Sequence, residues 1–402
     1  MFRSLNPLAW EVGGGVRDQI TGDLVDDHDF AIERTTEEQF REVFPDIKTV
    51  PKISNKGAAL TFSVEGNDTA LCREEQSTGT GDKDFTVQHG VGILDDLKRR
   101  DFTMNSIAKH FVTGDILDPH HGVEDIKNKL IRTVFDKAFI EDANRIARGC
   151  RFAAQFPDFT IEENTQRLMR EAREEFALVH PERIEKELRK VFARAKNPSI
   201  FFRTLDEIGL LDVHFPELEA AKHRLAGKPE WHPEGSVFNH LMISFDTAKA
   251  TGCSFEVGIA ALLHDFGKLG TPENELPSHK MHETRVEILE AFLARNKFTG
   301  HAQKLATVVF RRHMGVHLLE EMKPTKKVRF VRHIPRHMRE EFLQACNCDA
   351  PLGEKQVELF HKVCQAIDTT PIAIPKVTMD KGNDAIKQFV EVAITKTLKT
   401  LL

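Results

Sequence analysis

Among 402 residues there is no tyrosine, although there are 29 phenylalanines, so no phenol is available as an acid, a base or a hydrogen-bonding stacking group. Cysteine is sparse. The six thiols (Cys72, Cys150, Cys253, Cys346, Cys348, Cys364) are scattered along a large chain, a pattern of reduced thiols in a cytoplasmic protein rather than of a disulfide framework. No apolar run reaches the length of a membrane span. The first dozen residues lead directly into Val12 and a glycine turn, which leaves no room for a leader peptide. A strong excess of positive charge is also missing: the net charge of -6 excludes a globally basic nucleic-acid binder, so any basic surface has to be local. The length favours two to four domains.

What is present begins with Gly13-Gly14-Gly15-Val16-Arg17-Asp18, followed by Asp27-His28-Asp29-Phe30-Ala31-Ile32. A strand over 27–32 places Asp27, Asp29 and Ala31 on one face and His28, Phe30 and Ile32 on the other. Two carboxylates converging with a substrate phosphate are a usual way to hold Mg²⁺. Glycines such as Gly14 let backbone N–H groups approach phosphate oxygens, and Arg17 can add a guanidinium; the bland alternative is a pair of solvated turn carboxylates. Thr35-Thr36-Glu37-Glu38 reads as an N-cap opening a helix through Phe44. Ala58–Val64 and Thr69–Arg73 read as a hairpin around 65–68, making Asp68 a candidate third metal carboxylate or a plain turn residue. Residues 74–92 read as a mobile loop. Lys98-Arg99-Arg100-Asp101, with Asn105, offers cations and amide donors suited to a triphosphate, or a solvated helix face.

Residues 141–154 predict one helix carrying Asp142, Arg145 and Arg148 on its polar face. Asp142 and Arg145 are either an i,i+3 ion pair or a reader of base edges, since cytosine and adenine each present an amine beside an acceptor. Beyond 155 the chain predicts helices over 161–178, 181–195 and 198–209. The basic residues Lys186, Arg189, Lys190, Arg194 and Lys196 form a phosphate track or a solvated face. A second constellation starts at His232: His240 in an amphipathic helix, then His264-Asp265 at the end of an apolar helix closed by a C-cap glycine, with His279, His282, His313 and Asp349 following. This is metal-ligand chemistry. Cys346-x-Cys348 is a weaker metal candidate, and 304–337 is a second basic stretch. A last helix from Asp384 repeats apolar residues and should dock on the rest of the protein.

Taken in order, these motifs resemble the bacterial class II CCA-adding enzymes, tRNA nucleotidyltransferases of the DNA polymerase β superfamily, in particular the multifunctional type with a C-terminal HD phosphohydrolase domain. The resemblance covers residues 10 to 350. It implies an α+β head with a polymerase β-like mixed sheet (1–135), an all-α neck and body (136–229), an HD domain (230–350) and a helical tail (351–402). It further implies that Asp27 and Asp29 hold two Mg²⁺, with Asp68 beside them, and that Gly14, Arg17, Arg100, Asp101, Asn105 and Arg148 line the nucleotide. Asp142 and Arg145 would select CTP and ATP as the tRNA 3′ hydroxyl attacks the α-phosphorus. His240, His264, Asp265 and Asp349 match the HD ligands for a divalent ion such as Ni²⁺ or Mg²⁺, implying hydrolysis of 2′,3′-cyclic phosphates and related phosphoesters. Partners would be tRNA, CTP and ATP, with no membrane, and a monomer or homodimer. A bacterial poly(A) polymerase is the near alternative; an HD phosphohydrolase with a passive RNA-binding head is the distant one. Three features depart from the pattern: Glu74 and Glu75 after Arg73, His120 where the family carries an aromatic ring, and the tail after 351.

Overall fold

The computed structural model describes residues 8–22, 28–47, 61–64, 66–77, 85–277, 284–379 and 382–402. Asp27, His279 and His282 lie outside them. The chain divides into two compact units, Met1–Val191 with Ile200–Val213, and Phe192–Ser199 with His214–Leu402.

The first unit is built on a mixed sheet of β1 (Ala9–Val12), β2 (Asp29–Ile32), β3 (Thr61–Val64), β4 (Asn67–Leu71), β7 (Ala108–His110) and β8 (Ile116–Leu117), in the order β3-β4-β2-β1-β7-β8. Among the described residues of this sheet, only β2 and β4 pair in parallel; β1 lies antiparallel to both β2 and β7. Period-two alternation sends Phe30 and Ile32 to one face, where they meet Phe40 and Phe44. Ala31 goes to the other face, with Val12, Ile93 and Leu97. Phe40 and Phe62 are fully buried with ring centroids 4.4 Å apart, and each such side chain contributes roughly 1.5–3 kcal/mol. Phe40 and Phe44 are delivered by α2 (Glu37–Val43), which starts at Thr36, within the N-cap run expected from sequence, where Thr36 and Gln39 form a capping box.

Three expectations need correction. Residues 74–92 are not simply a loop: β5 (Arg73–Ser77) and β6 (Phe85–His89) pair antiparallel as a separate ribbon. The sequence of β5 is wholly polar and only Phe85 and Val87 alternate in β6, too short a pattern to announce a strand. The helix expected over 141–154 is two. α5 (Ala138–Glu141) ends at Asp142, whose backbone is extended, and α6 (Asn144–Gln155) begins after it. Asp142 Oδ1 accepts the Asn144 N–H at 3.1 Å, the side-chain-to-backbone bond by which aspartate starts helices rather than continuing them. Nor is the far side of α6 a solvent face, since Gly149, Arg151 and Phe152 are buried. The span 161–178 likewise divides, into Glu163–Glu171 and Arg173–Ala177.

The second unit is helical apart from an isolated bridge between Leu225 and Ser236. Its centre is the helix Phe255–Leu263, buried on nearly every side and packed among Val237–Ala250, Gly300–Phe310 and Arg339–Asp349. Such all-round apolarity is the mark of a core helix. It does not end in a C-cap glycine: His264 closes it and Gly267 sits inside a 3₁₀ turn, Phe266–Gly270. The terminal helix, Asn383–Leu401, buries Ile394 and Leu398 and pairs Glu391 with Arg329 at 2.9 Å.

Candidate active site and metal centre

In the first unit the chain turns from β1 into α1 (Gly14–Thr21) through Gly13, at φ +74°. A Cβ at Gly13 would lie 3.5 Å from Asp29 Oδ2 and 3.4 Å from Arg100 Nη1. Glycine is called for here by the backbone angle, since a Cβ would only make ordinary contact with the two side chains. Phe30 pairs with Thr69 in the parallel register of β2 and β4, and one step back the register sets Asp29 beside Asp68. Adjacent strands lie about 4.8 Å apart, so two half-buried aspartates stand side by side on one face of the sheet. Hard oxygen donors of this kind fit Mg²⁺.

The cations expected around a triphosphate are largely committed to protein partners. Arg17 is buried; it donates to Asn105 Oδ1 at 2.7 Å and to Asp18 Oδ1 at 2.6 Å, and it lies over Phe152 and Phe156. A Cβ at Gly14 would meet Arg17 Nη2 at 3.5 Å. Arg99 and Arg100 both grip the buried Asp96, at 2.5 and 2.9 Å, while Lys98 pairs with Asp95 on the surface. Asp101 accepts from Asn105 at 3.1 Å and from Arg148 at 2.7 Å. Burial pushes the Asp96 and Asp101 carboxyls up, but their arginines outweigh it and hold both well below the usual carboxylate range.

Asp142 and Arg145 do not pair with each other as an i,i+3 couple. Both oxygens of Asp142 accept from Arg183 Nη2, at 2.8 and 2.9 Å. Arg145 donates to the Ala138 carbonyl at 3.2 Å and the Arg99 carbonyl at 2.8 Å, with its guanidinium over Phe135.

In the second unit the four expected ligands converge. His240 Nε2 lies 3.2 Å from His264 Nε2 and 3.0 Å from Asp349 Oδ1, and His264 Nε2 lies 3.2 Å from Asp349 Oδ1. Asp265 Oδ2 is 3.5 Å from His240 Nε2 and 3.3 Å from His264 Nε2. Metal–nitrogen bonds of about 2.0–2.1 Å give a tetrahedron with edges of about 3.3 Å, so the spacing fits a transition-metal ion. His264 Nδ1 donates to the Ala261 carbonyl at 2.7 Å, and His240 Nδ1 to Glu234 at 2.8 Å. Both rings therefore aim Nε2 inward, the orientation that backing partners impose on ligating histidines. Burial pushes the His264 imidazole down, but Asp265 and Asp349 reverse this and raise it to about 10. The pocket demands positive charge.

Residues 9–132 match the poly A polymerase head domain, and 158–222 the probable RNA and SrmB-binding site of polymerase A. A multifunctional CCA protein of Stenotrophomonas maltophilia (strain K279a) is 38% identical over 320 residues, 78% of this chain and 77% of that protein. One from Methylobacillus flagellatus is 38% identical over 355 residues, 85% and 83% of the two chains. The chain belongs to the multifunctional CCA protein family. The structure of the Bacillus stearothermophilus CCA-adding enzyme, in complex with CTP, is similar to this one in fold, with a TM-score of 0.66 at 20% identity, covering all of this chain and 93% of that one.

Several residues of this family member escaped the sequence reading. Arg183 clasps Asp142 from 41 positions away, a separation that no local pattern reveals. Asp96 was hidden in what looked like a solvated charge run. Lys268, whose Nζ meets Asp265 Oδ2 at 2.6 Å, is its i+3 neighbour and was legible in principle. His317, which the sequence did not single out, lies 3.7 Å from Asp349, while His313, already a candidate, lies 3.5 Å from Asp265. Among the described residues, Cys346 and Cys348 join no metal-competent group.

Proposed function

We propose that the chain adds and repairs the 3′-terminal CCA of tRNA, taking CTP and ATP as substrates without a nucleic-acid template. Beyond family membership, the observation that carries this reading is Asp29 standing with Arg100 at the Gly13 turn, in register with Asp68 on the neighbouring strand. A divalent cation held by Asp27, Asp29 and Asp68 would neutralise phosphate charge and lower the barrier to attack. Arg100 adds a fixed guanidinium beside those phosphates. The Asp101–Arg148 and Arg17–Asn105 pairs hold the floor of the nucleotide site in one arrangement. The tRNA 3′ oxygen bonds to the α-phosphorus while the bond to pyrophosphate breaks and the hydroxyl proton departs. Asp142 accepts from the exocyclic amine and Arg145 donates to the neighbouring ring nitrogen; Arg183 and the Arg99 carbonyl keep the two side chains aimed.

We infer that His240, His264, Asp265 and Asp349 form an HD-type phosphohydrolase centre for 2′,3′-cyclic phosphates and related phosphoesters. Their mixed nitrogen and oxygen donors suit a transition-metal ion such as Ni²⁺ better than Mg²⁺, and a bound ion would supply an activated water. Incubation with tRNA ending at the discriminator base, CTP, ATP and Mg²⁺ tests the main reading, with sequential C, C and A expected. Repeated incorporation from ATP alone would indicate a poly(A) polymerase. Phosphohydrolase activity with no incorporation would indicate a passive head.

A further inference from the structure

Trp231 is 81% exposed, an unusual position for a side chain whose burial normally contributes strongly to a core. It stands at the tip of a closely built loop. The base of that loop is closed by the Leu225–Ser236 bridge and by the Ala226 N–H donating to the Gly235 carbonyl at 2.9 Å. Within it the Trp231 N–H donates to the Lys228 carbonyl at 3.0 Å. A Cβ at Gly227 would fall 2.2 Å from His232 Cδ2, so the missing side chain is what lets the imidazole lie against the loop.

Two ties fasten this loop to the histidine–aspartate cluster. Lys268 Nζ, which pairs with Asp265, donates to the Ala226 carbonyl at 2.7 Å. Glu234 accepts from both His232 at 2.9 Å and His240 at 2.8 Å, and the His232 and His240 rings lie 5.0 Å apart edge to face. Trp231 is thus the covalent neighbour of a ring that touches a ligand histidine. An indole on a well-anchored loop beside a phosphate-binding centre is the usual platform for a nucleobase.

We propose that Trp231 is a specificity-determining residue that stacks on the base of a nucleotide substrate at this centre, free or at an RNA 3′ end, so that a cyclic phosphate carrying a base binds more tightly than one without. The assignment rests on the phosphohydrolase reading above. Water adds to phosphorus, one ring P–O bond breaks, and the released ribose oxygen takes the proton. The base changes no bond, so the indole acts through binding alone.

The test compares hydrolysis of adenosine 2′,3′-cyclic phosphate with that of glycerol 1,2-cyclic phosphate, which has the same ring and no base, with Ni²⁺ present. In W231A, KM for the nucleotide rises about tenfold with kcat nearly unchanged, the scale of one lost base–aromatic stack. KM for the glycerol compound does not move, and W231F recovers most of the loss. An RNA ending in the cyclic phosphate, run alongside, separates free nucleotide from RNA terminus. Only Trp10 and Trp231 fluoresce as indoles, so quenching by the nucleotide, read in stopped flow, should vanish in W231F. A protein that hydrolyses neither compound yet shows that quench keeps the stacking assignment and overturns the hydrolase reading. Equal KM shifts for both compounds, or no shift together with a quench that survives in W231F, overturns the stacking assignment whether or not hydrolysis occurs.

Discussion

The two candidate centres solve opposite electrostatic problems. In the first unit Asp96 and Asp101 are each satisfied by arginines, and Asp29 lies with Arg100 at the Gly13 turn. In the second unit the Nε2 atoms of His240 and His264 lie 3.0–3.5 Å from carboxylate oxygens of Asp265 and Asp349, and the Nδ1 atoms of the two histidines are tied back to Glu234 and the Ala261 carbonyl. One candidate site is built of compensated pairs. The other gathers two imidazoles and two carboxylates.

That contrast breaks most sharply under reciprocal substitution. Asp29→Ala should lower kcat/KM for CTP and ATP incorporation by at least about a thousandfold, since a lost metal carboxylate removes several kcal/mol of charge stabilisation. Metal content and cyclic-phosphate hydrolysis should hold. Asp265→Ala should do the reverse, abolishing stoichiometric Ni²⁺ binding by calorimetry while CCA addition continues. Loss of both activities in either variant would show that the centres are not separable.

Next in size is Asp96→Ala. It leaves the half-buried guanidiniums of Arg99 and Arg100 facing a cavity without their counter-ion, and breaking such a pair costs about 3–5 kcal/mol. The melting temperature of the first unit should fall and that of the second should not. An unchanged melt would mean that the Asp96 network is worth no more than a surface pair.

Most of the metal centre was legible in the sequence, because its ligands are few in kind and sit on helices whose apolar patterns are plain: His264 and Asp265 directly follow an apolar run, and Asp349 ends another helix. The mixed head sheet was legible at β2 and α2, where alternation and a capping box are local signals. What stayed hidden was long-range or carried too short a pattern. Arg183 meets Asp142 only through tertiary folding, the ribbon of β5 and β6 offers only Phe85 and Val87 as an apolar alternation, and Asp142 breaks a helix that its neighbours favour. Glu234 and Lys268, though close in sequence to the histidines and aspartate they hold, carry no motif of their own.

Acid should weaken the first unit by a smaller amount, and it bears on the second as well, where Asp265 and Asp349 are also held well below the usual carboxylate range. Asp96 and Asp101 have folded-state values depressed below 3.8, so their contribution is fully present above about pH 4, where the unfolded carboxyl ionises, and is lost as pH falls through the folded values. Thermal melts from pH 6 to pH 2 should show the first unit losing stability progressively below about pH 4. D96N and D101N should flatten that slope. If the slope survives in both variants, other carboxylates govern the acid limb.

The smallest effect belongs to Gly13→Ala. At φ +74° with ψ −135° an alanine is held where L-residues seldom go, at a cost of about 1–3 kcal/mol, and its methyl would sit in ordinary contact distance of both Asp29 and Arg100. Stability should therefore fall modestly. Incorporation should fall further than stability does, because any relief of the strained angle shifts the carboxylate and guanidinium that bracket the turn. Crystals of the variant with Asp29 unmoved, together with normal incorporation, would reduce Gly13 to a backbone hinge with no part in bringing Asp29 and Arg100 together.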